Sequence, residues 1–338
     1  MKSIGLDIHG ATFTYAVISE TGKIIQCLSR PTSRENLVVS VASVTGPKQL
    51  TVEECHLAQW VKNVLEPYVD KLIVCDPTQN HWIAKGEFVD DAVSAVKLAR
   101  LLRGGYLKEI RHPGEPASEF RRLFLHYYDL NQQLVTFKNK LKAVYRQAAV
   151  STKVKGFYTE PVQRRLQNAL KDAVYLRHEA IQLCAMTGLV EDLKQQTFDK
   201  MVKHAKRNGN FKRLDGIPGA GPVISTGYLA LVETPYRFSR RNKLWSYAGF
   251  ANARQESDGV VYRHRASRGG NRALKWVVIE HFNAAVVLSK KPNRFKKQYE
   301  ALIARGLDKT SSRRQVCRSI LSVVRALWMK EEDYREIR

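Results

Sequence analysis

The 338 residues of the chain exceed one ordinary domain and suit two or three, each large enough to bury its own core. With 44% hydrophobic residues the chain is not a disordered basic tail, and its formal net charge of +24 indicates a polyanionic partner. The five cysteines lack C-x-x-C spacing, which argues against a zinc finger or a disulfide framework, and no apolar run approaches the roughly 18 residues of a membrane span. We therefore expect a cytoplasmic protein without a membrane segment.

The positive charge lies in the second part of the chain. The first 100 residues contain 10 Lys and Arg against 11 Asp and Glu, whereas residues 101–338 contain 46 against 21. This asymmetry separates a region that uses acids from one that binds phosphates. A metal-dependent nuclease or recombinase would be organised in this way, and a ribosomal or chaperone-like binder would show the same asymmetry.

The first part of the chain alternates strand and helix patterns. From Ser3, three short apolar runs separated by His-Gly-Ala and Thr-Gly predict an antiparallel hairpin or meander. A helical pattern in ENLVVSVAS, a strand at QLTVE, an amphipathic helix at LAQWVKNVLEPYV and a buried strand at KLIVCD follow. Helical spacing over 90–104 ends at Gly-Gly, a typical C-terminal helix signal. We predict a mixed α/β domain over 1–112.

The rest of the chain is predicted to be helical. Long basic stretches with apolar residues three and four apart dominate 113–205 and predict an antiparallel arm, a candidate coiled coil for dimerisation. Helical patterns separated by glycine-rich turns continue through 206–338, which we treat as a third domain.

Acidic residues of the first domain occur at three places that a fold could bring together. Asp7 interrupts an apolar strand, Glu53 and Glu54 follow the strand QLTV, and Asp90 and Asp91 begin a helix. The RNase H-like fold gathers carboxylates around Mg²⁺ from such positions. Alternatively, Asp7 faces solvent, the two Glu start a helix, and the two Asp cap one.

Two segments of the basic region are candidates for nucleic-acid contact. GIPGAGP resembles the turn of a helix-hairpin-helix, in which the backbone N–H groups of Gly216, Gly219 and Gly221 would approach a phosphate; the alternative is a plain interhelical turn. Downstream, Ser257 and Ser267 lie among Arg254, Arg263, Arg265, Arg268 and Arg272. A serine among arginines is either a hydrogen-bond donor to phosphate or a nucleophile that attacks it.

An ordered series of motifs spans most of the chain: GLDIH at the start, VEECHLAQW at 52–60, VCDP at 74–77, KLARLL at 97–102, GIPGAGP at 216–222, LWSYAGF at 244–250, and a block from Ser257 that ends in GGNRAL. In this order and spacing they resemble the transposases of the insertion sequence 110 family, the Piv-like DEDD recombinases. Asp7, Glu53 and Asp91 match the first three acids of that family, and Ser257 best matches its serine.

The resemblance implies a RuvC-type RNase H-like domain, a helical linker that dimerises, and a helical C-terminal transposase domain with a nucleophilic serine. It implies Mg²⁺ on the carboxylates, donor and target DNA as substrates, a noncoding bridge RNA as guide, and a homo-oligomer that is a dimer or, on DNA, a tetramer.

One position departs from the family pattern. Ser94 stands where an Asp is expected, three residues after Asp91, and a hydroxyl is a poor Mg²⁺ ligand beside a carboxylate. Asp90 lies four residues before Ser94 on the same helical face and is the candidate to compensate. Three functions stay open: a recombinase, a metal-only nuclease or Holliday-junction resolvase, and an inactive nucleic-acid-binding relative.

Overall fold

The computed structural model describes residues 1–77, 90–257, 260–266 and 269–336, with the backbone alone for the strands at 252–257 and 260–266. The chain divides into two compact units, Met1–Ser118 and Glu119–Arg338. The long helices predicted between 113 and 205 share the second unit with the C-terminal region. The sequence-based division into three domains stays a prediction.

The first unit contains a five-stranded sheet. Its strands are β1 (Lys2–Ile8), β2 (Thr12–Ile18), β3 (Ile24–Pro31), β4 (Lys48–Glu53) and β5 (Lys71–Cys75), in the spatial order β3-β2-β1-β4-β5. β1, β2 and β3 pair antiparallel, as the meander prediction required. β4 pairs parallel with β1, and β5 pairs parallel with β4. The predicted mixed α/β architecture is confirmed.

Alternation along β1 separates two faces of this sheet. Ile4, Leu6 and Ile8 pack in one core with residues of α1 (Arg34–Ala42) and α2 (Ala58–Leu65). Successive side chains of a strand point to opposite faces, so Ser3, Gly5 and Asp7 belong to the other face. That face is covered by α3 (Asp91–Gly104), which ends at Gly105 in the left-handed conformation, as the Gly-Gly signal predicted.

Gly5 allows α3 to lie directly on β1. A Cβ at this position would overlap the carbonyl oxygen of Ala95 and the amide nitrogen of Ala99, and would lie 2.9 Å from the Cβ of Leu98. Any other residue type would therefore push the helix away from the strand. The absence of a side chain at Gly5 sets the distance between the two elements.

The second unit is mainly helical. Its helices are α4 (Ala117–Gln147), α5 (Glu160–Asn168), α6 (Val174–Ala205), α7 (Asn210–Asp215), α8 (Gly221–Val232), α9 (Arg241–Tyr247), α10 (Arg272–Phe282), α11 (Arg294–Ala304) and α12 (Lys309–Lys330). Buried residues of α8, α10 and α12, among them Tyr228, Val277 and Val324, form one large core.

The two longest helices, α4 and α6, run antiparallel. Phe120 stacks on His204 with ring centroids 4.5 Å apart, and Tyr127 lies 6.4 Å from Phe198. Further along, Lys138 forms an ion pair with Glu191 at 2.6 Å. Residues nearer the C-terminus of α4 contact residues nearer the N-terminus of α6. The two helices are therefore antiparallel, as predicted for the arm.

A β-hairpin interrupts the helices of the second unit, which our helical prediction for this region did not include. β6 (Asn252–Ser257) and β7 (Val260–Ala266) pair antiparallel. The Asp258-Gly259 dipeptide between the two runs is a strong hairpin signal in a sequence. Arginines at alternate positions of β7 had obscured the strand pattern.

Among the described residues, every helix is too short or too polar to cross a membrane. The cysteines in this part of the chain are all free thiols.

We expect Gly5→Ala to lower the free energy of unfolding by about 1–3 kcal/mol or more, because the new methyl group would overlap the backbone of α3. Chemical denaturation followed by circular dichroism measures this change. Gly10→Ala is the matched control, since a Cβ there meets nothing within 4 Å. Its effect should stay within about 0.5 kcal/mol. Equal stability of the two variants would contradict the close approach at Gly5.

Candidate functional site

Asp7 and Asp91 converge where the C-terminal end of β1 meets the first turn of α3. Because Gly5 lies against Ala95 and Ala99, the helix runs back along β1 and its N-terminus comes to Asp7. His9 follows in the turn after the strand, and its Nε2 lies 3.5 Å from Oδ1 of Asp7 and 3.6 Å from Oδ1 of Asp91. One ligand atom from each of these three residues lies within 4.8 Å of the others.

The electrostatics of this cluster suit a cation. Burial raises the pKa of Asp7, and the nearby charge of Asp91 raises it further, against the opposing influence of His9 and of a hydrogen bond to the backbone of Ile8. Two carboxylates this close repel each other, and a divalent ion between them would remove that repulsion. Carboxylate oxygens are preferred ligands of Mg²⁺ and Mn²⁺, and imidazole is a common ligand of transition metals such as Zn²⁺ and Fe²⁺. The donor set therefore fits a divalent cation.

Glu53 lies on the same face of the sheet as Asp7. In the parallel pairing of β1 with β4, Gly5 lies opposite Thr51. Asp7 follows Gly5 by two positions and Glu53 follows Thr51 by two positions, so both acids belong to the face of Gly5 and Thr51. Glu53 is half-buried and lies at the end of β4, although its carboxylate is not part of the group of three. Asp7 and Glu53 therefore lie on one face of two neighbouring strands.

Glu54, the alternative to Glu53, has a different environment. Its carboxylate contacts Nε2 of His112, and Nδ1 of that imidazole donates to Oε1 of Gln59 at 3.0 Å. This contact directs Glu54 to α2 and the segment that follows α3.

Asp90 caps α3. Its Oδ1 accepts a hydrogen bond of 2.6 Å from the backbone N–H of Val93, and its carbonyl accepts one of 2.9 Å from the N–H of Ser94. The helix-cap alternative for Asp90 is therefore observed. In the part of the chain that the structure describes, the third group beside Asp7 and Asp91 is His9. We did not predict His9; its signal was its position two residues after Asp7 in GLDIH.

The three glycines of GIPGAGP differ in their surroundings. A Cβ on Gly219, where φ is +85°, would lie 2.5 Å from the amide nitrogen of Ala285, so this glycine packs inside the unit. Gly216 ends α7 in a helical conformation. Gly221, with φ +67°, begins α8 and has open space at its Cβ position. Of the three, Gly221 offers a ligand the clearest approach.

A buried histidine holds this turn in place. Nε2 of His281 donates to the carbonyl of Pro218 at 3.0 Å, so Nδ1 of the neutral ring accepts from the hydroxyl of Tyr228 at 2.9 Å. Burial lowers the pKa of His281 to about 4, against the opposing hydrogen bond to Pro218. The ring is therefore neutral at pH 7 and connects the turn to the core.

Ser257 is the last residue of β6, where it pairs with Val260. The two ends of the hairpin meet at Gly249 and Gly270: a Cβ on Gly270 would lie 2.5 Å from the amide nitrogen of Gly249. Next to them, the N–H of Asn271 donates to the carbonyl of Tyr247 at 2.7 Å. The hairpin with the candidate serine thus extends from a tightly packed base.

The arginines around the serines are described to different extents. Arg254 lies on β6, and Arg263 and Arg265 lie on β7, with the backbone alone described. Arg272 is exposed at the first turn of α10. Ser267 and Arg268 lie outside the described residues.

Two family models match the chain. A model named for the DEDD transposases of IS110, with the description Transposase, matches residues 4–149 and so includes Asp7, Glu53 and Asp91. A second, with the description Transposase IS116/IS110/IS902 family, matches residues 211–300, which include GIPGAGP and the hairpin. The comparison with curated proteins finds no match.

We expect Asp91→Asn to weaken Mn²⁺ binding at least about tenfold, because even the loss of an outer-shell partner of a metal typically costs 10- to 100-fold. His9→Ala should weaken it as well. Titration followed by electron paramagnetic resonance of free Mn²⁺ measures the affinity. Asp90→Asn is the matched control, since it removes the same charge one residue away and Asn caps helices as well as Asp. Similar losses in the Asp90 and Asp91 variants would contradict a specific site.

Proposed function

Since this chain belongs to the IS110 family of transposases, a family of DNA-recombining enzymes, we propose that it joins DNA strands of an insertion sequence through a metal-assisted attack by a serine. The observation that carries the proposal is the convergence of Asp7 and Asp91 at the crossing of β1 and α3. Acids of this family's DEDD pattern, distant in the sequence, lie within ligand distance of one cation.

The sheet of the first unit supports an RNase H-like assignment of the RuvC type. The first acid lies on the central strand of a five-stranded sheet, the second ends the neighbouring parallel strand, and the third begins the helix packed across them. These are the three positions from which that fold would collect its metal ligands.

We assign the metal to Asp7, Glu53 and Asp91, with His9 in the role that Ser94 cannot fill. When bound, Mg²⁺ would polarise the scissile phosphate and balance the charge that develops on it. The carboxylates bind and orient the ion, while α3 keeps Asp91 opposite Asp7. The position of His9 beside both carboxylates supports an active site despite the missing fourth acid.

The nucleophile of the proposal is the hydroxyl of Ser257. Its oxygen would form a bond to phosphorus as the bond from phosphorus to a deoxyribose oxygen breaks, which preserves the ester energy in a protein–DNA link. A hydroxyl of the other DNA would then attack and release the serine. The neighbouring arginines of β6 and β7 would stabilise the phosphate charge. Ser267 is the alternative nucleophile.

We propose that the arm formed by α4 and α6 dimerises the protein, with a tetramer assembled on DNA. Exposed apolar side chains support this: Ile181, Met186, Leu189 and Leu193 recur along α6, and Leu189 is 61% exposed. Apolar residues repeated on the solvent side of a long helix are typical of a helix that packs against a partner.

We expect Asp7→Ala to abolish strand exchange and leave DNA binding largely intact, because it removes a metal ligand from a unit without excess positive charge. Ser257→Ala should abolish both exchange and the covalent protein–DNA adduct, whereas Ser267→Ala should retain them. The assay combines donor and target DNA, then denatures and separates the products. An adduct that persists in Ser257→Ala would transfer the role to Ser267, and exchange without any adduct would favour a metal-only nuclease or resolvase.

We further propose that a bridge RNA guides the choice of DNA, a role that only the family relationship supports. Protein purified from cells that carry the flanking DNA of its gene should retain one discrete flanking transcript after a high-salt wash. Sequencing of the bound RNA checks this. Heterogeneous RNA would contradict guidance and favour the nuclease or the inactive relative.

A further inference from the structure

Of the two half-buried aromatic residues in the LWSYAGF motif, Trp245 and Tyr247, Trp245 lines a groove at the surface of the second unit. Leu244 and Ala248 of this motif are buried in the core, and Phe250 is 5% exposed. Trp245 lies on a neighbouring flank of α9, where it is half-buried and packs against the edge of the same core. The buried members account for the packing of the motif, but Trp245 has no role in the reaction proposed above.

Two arginines lie against the indole of Trp245. The guanidinium carbon of Arg241 is 5.5 Å from the ring centroid, and that of Arg318 is 5.6 Å from it. The indole Nε1 donates to Oγ of Ser322 at 3.2 Å, and Nε of Arg318 donates to the carbonyl of Phe250 at 2.7 Å. Hydrogen bonds thus hold the indole to Ser322 of α12 and the guanidinium of Arg318 to the backbone of Phe250.

The indole lines a groove between α9, α11 and α12. Arg241, Arg294 and Arg318 line it together with the amides of Gln298 and Gln315. A second depression shares Trp245 and Arg318 and adds Lys243. No described Asp or Glu lies within 4.0 Å of Arg241 or Arg294, although Arg294 also lines a neighbouring pocket with Glu331, Glu332 and Asp333.

The chemistry of the groove matches a phosphate chain. The side chains of Arg241, Lys243, Arg294 and Arg318 place four cations around the two depressions, and their positive potential attracts a polyanion. A guanidinium is a planar fork that binds phosphate through two hydrogen bonds, and one stacked on an aromatic ring loses less rotamer freedom on binding. The glutamine amides add donors and acceptors for sugars or bases.

We propose that this groove, lined by Arg241, Trp245, Arg294 and Arg318, binds the sugar–phosphate backbone of a nucleic acid. Trp245 positions the guanidiniums of Arg241 and Arg318, which contact phosphates. Arg294, at the start of α11, extends the contact to that helix. The inference takes only the class of ligand, a nucleic acid, from the proposed function, since it involves neither the metal site nor the serine.

The test compares two double variants with the same change in net charge. Arg241→Gln with Arg294→Gln removes two cations of the groove, and Lys171→Gln with Arg177→Gln removes two exposed cations of the helical arm. Binding to a mixed-sequence DNA duplex and to an RNA duplex is measured over a range of salt concentrations. Each phosphate contact contributes about 0.9 to the slope of log affinity against log salt for B-form DNA, so the groove variant should lose roughly 1.8.

The two probes identify the source of the phosphates. A lower slope with one probe supports the proposal and names that nucleic acid, and a lower slope with both supports a site that either fills. Slopes equal to those of the arm variant with both probes would overturn it. If the groove variant binds like the wild type while Asp7→Ala still abolishes strand exchange, the inference fails and the proposed function stands.

A third variant changes no charge. Trp245→Leu removes the ring that holds Arg241 and Arg318, and we expect about a two- to fivefold loss of affinity, the usual size of such a cation–π contribution. Circular dichroism and Mn²⁺ affinity verify that both units remain folded. Unchanged affinity in a folded Trp245→Leu protein would overturn the positioning role of the indole.

Discussion

The cluster of Asp7, His9 and Asp91 depends on a contact in which one partner has no side chain. β1 and α3 approach until their backbones nearly touch, and this is possible only because Gly5 leaves space for Ala95 and Ala99. At this separation the first turn of the helix comes within ligand distance of the strand. The short distance between Asp7 and Asp91 therefore follows from the packing of Gly5, two residues before Asp7 on the strand, against α3.

The sequence was sufficient to predict those elements whose structure depends on the local spacing of apolar residues. The meander, α3 and its C-terminal glycine followed from apolar spacing and turn residues, and the antiparallel arm followed from long helical patterns with a break between them. It also drew attention to Asp7, because an acid in the middle of an apolar strand is costly to bury without a partner, and the structure brings Asp7 close to Asp91 and His9. The family models and the structure agree with these predictions at the level of the fold.

What the sequence did not decide required three-dimensional information. Asp90 and Asp91 are adjacent acids at a helix start, and only the backbone geometry of the first turn makes one the cap and directs the other to β1. His9 lies in a turn, where no periodicity marks it, and it becomes relevant only through the approach of α3. The hairpin formed by β6 and β7 was hidden because arginines occupy alternate positions that apolar residues usually fill.

The hairpin gives the candidate serine an unusual setting. Ser257 ends a strand of six residues, which places it roughly 20 Å from the base at Gly249 and Gly270. A two-stranded ribbon by itself is only marginally stable, so we expect this hairpin to gain stability from a surface that it meets. If the proposed role of Ser257 holds, its reactivity would be a property of the complex that the hairpin joins, and a lone chain would be harmless to the DNA of its host.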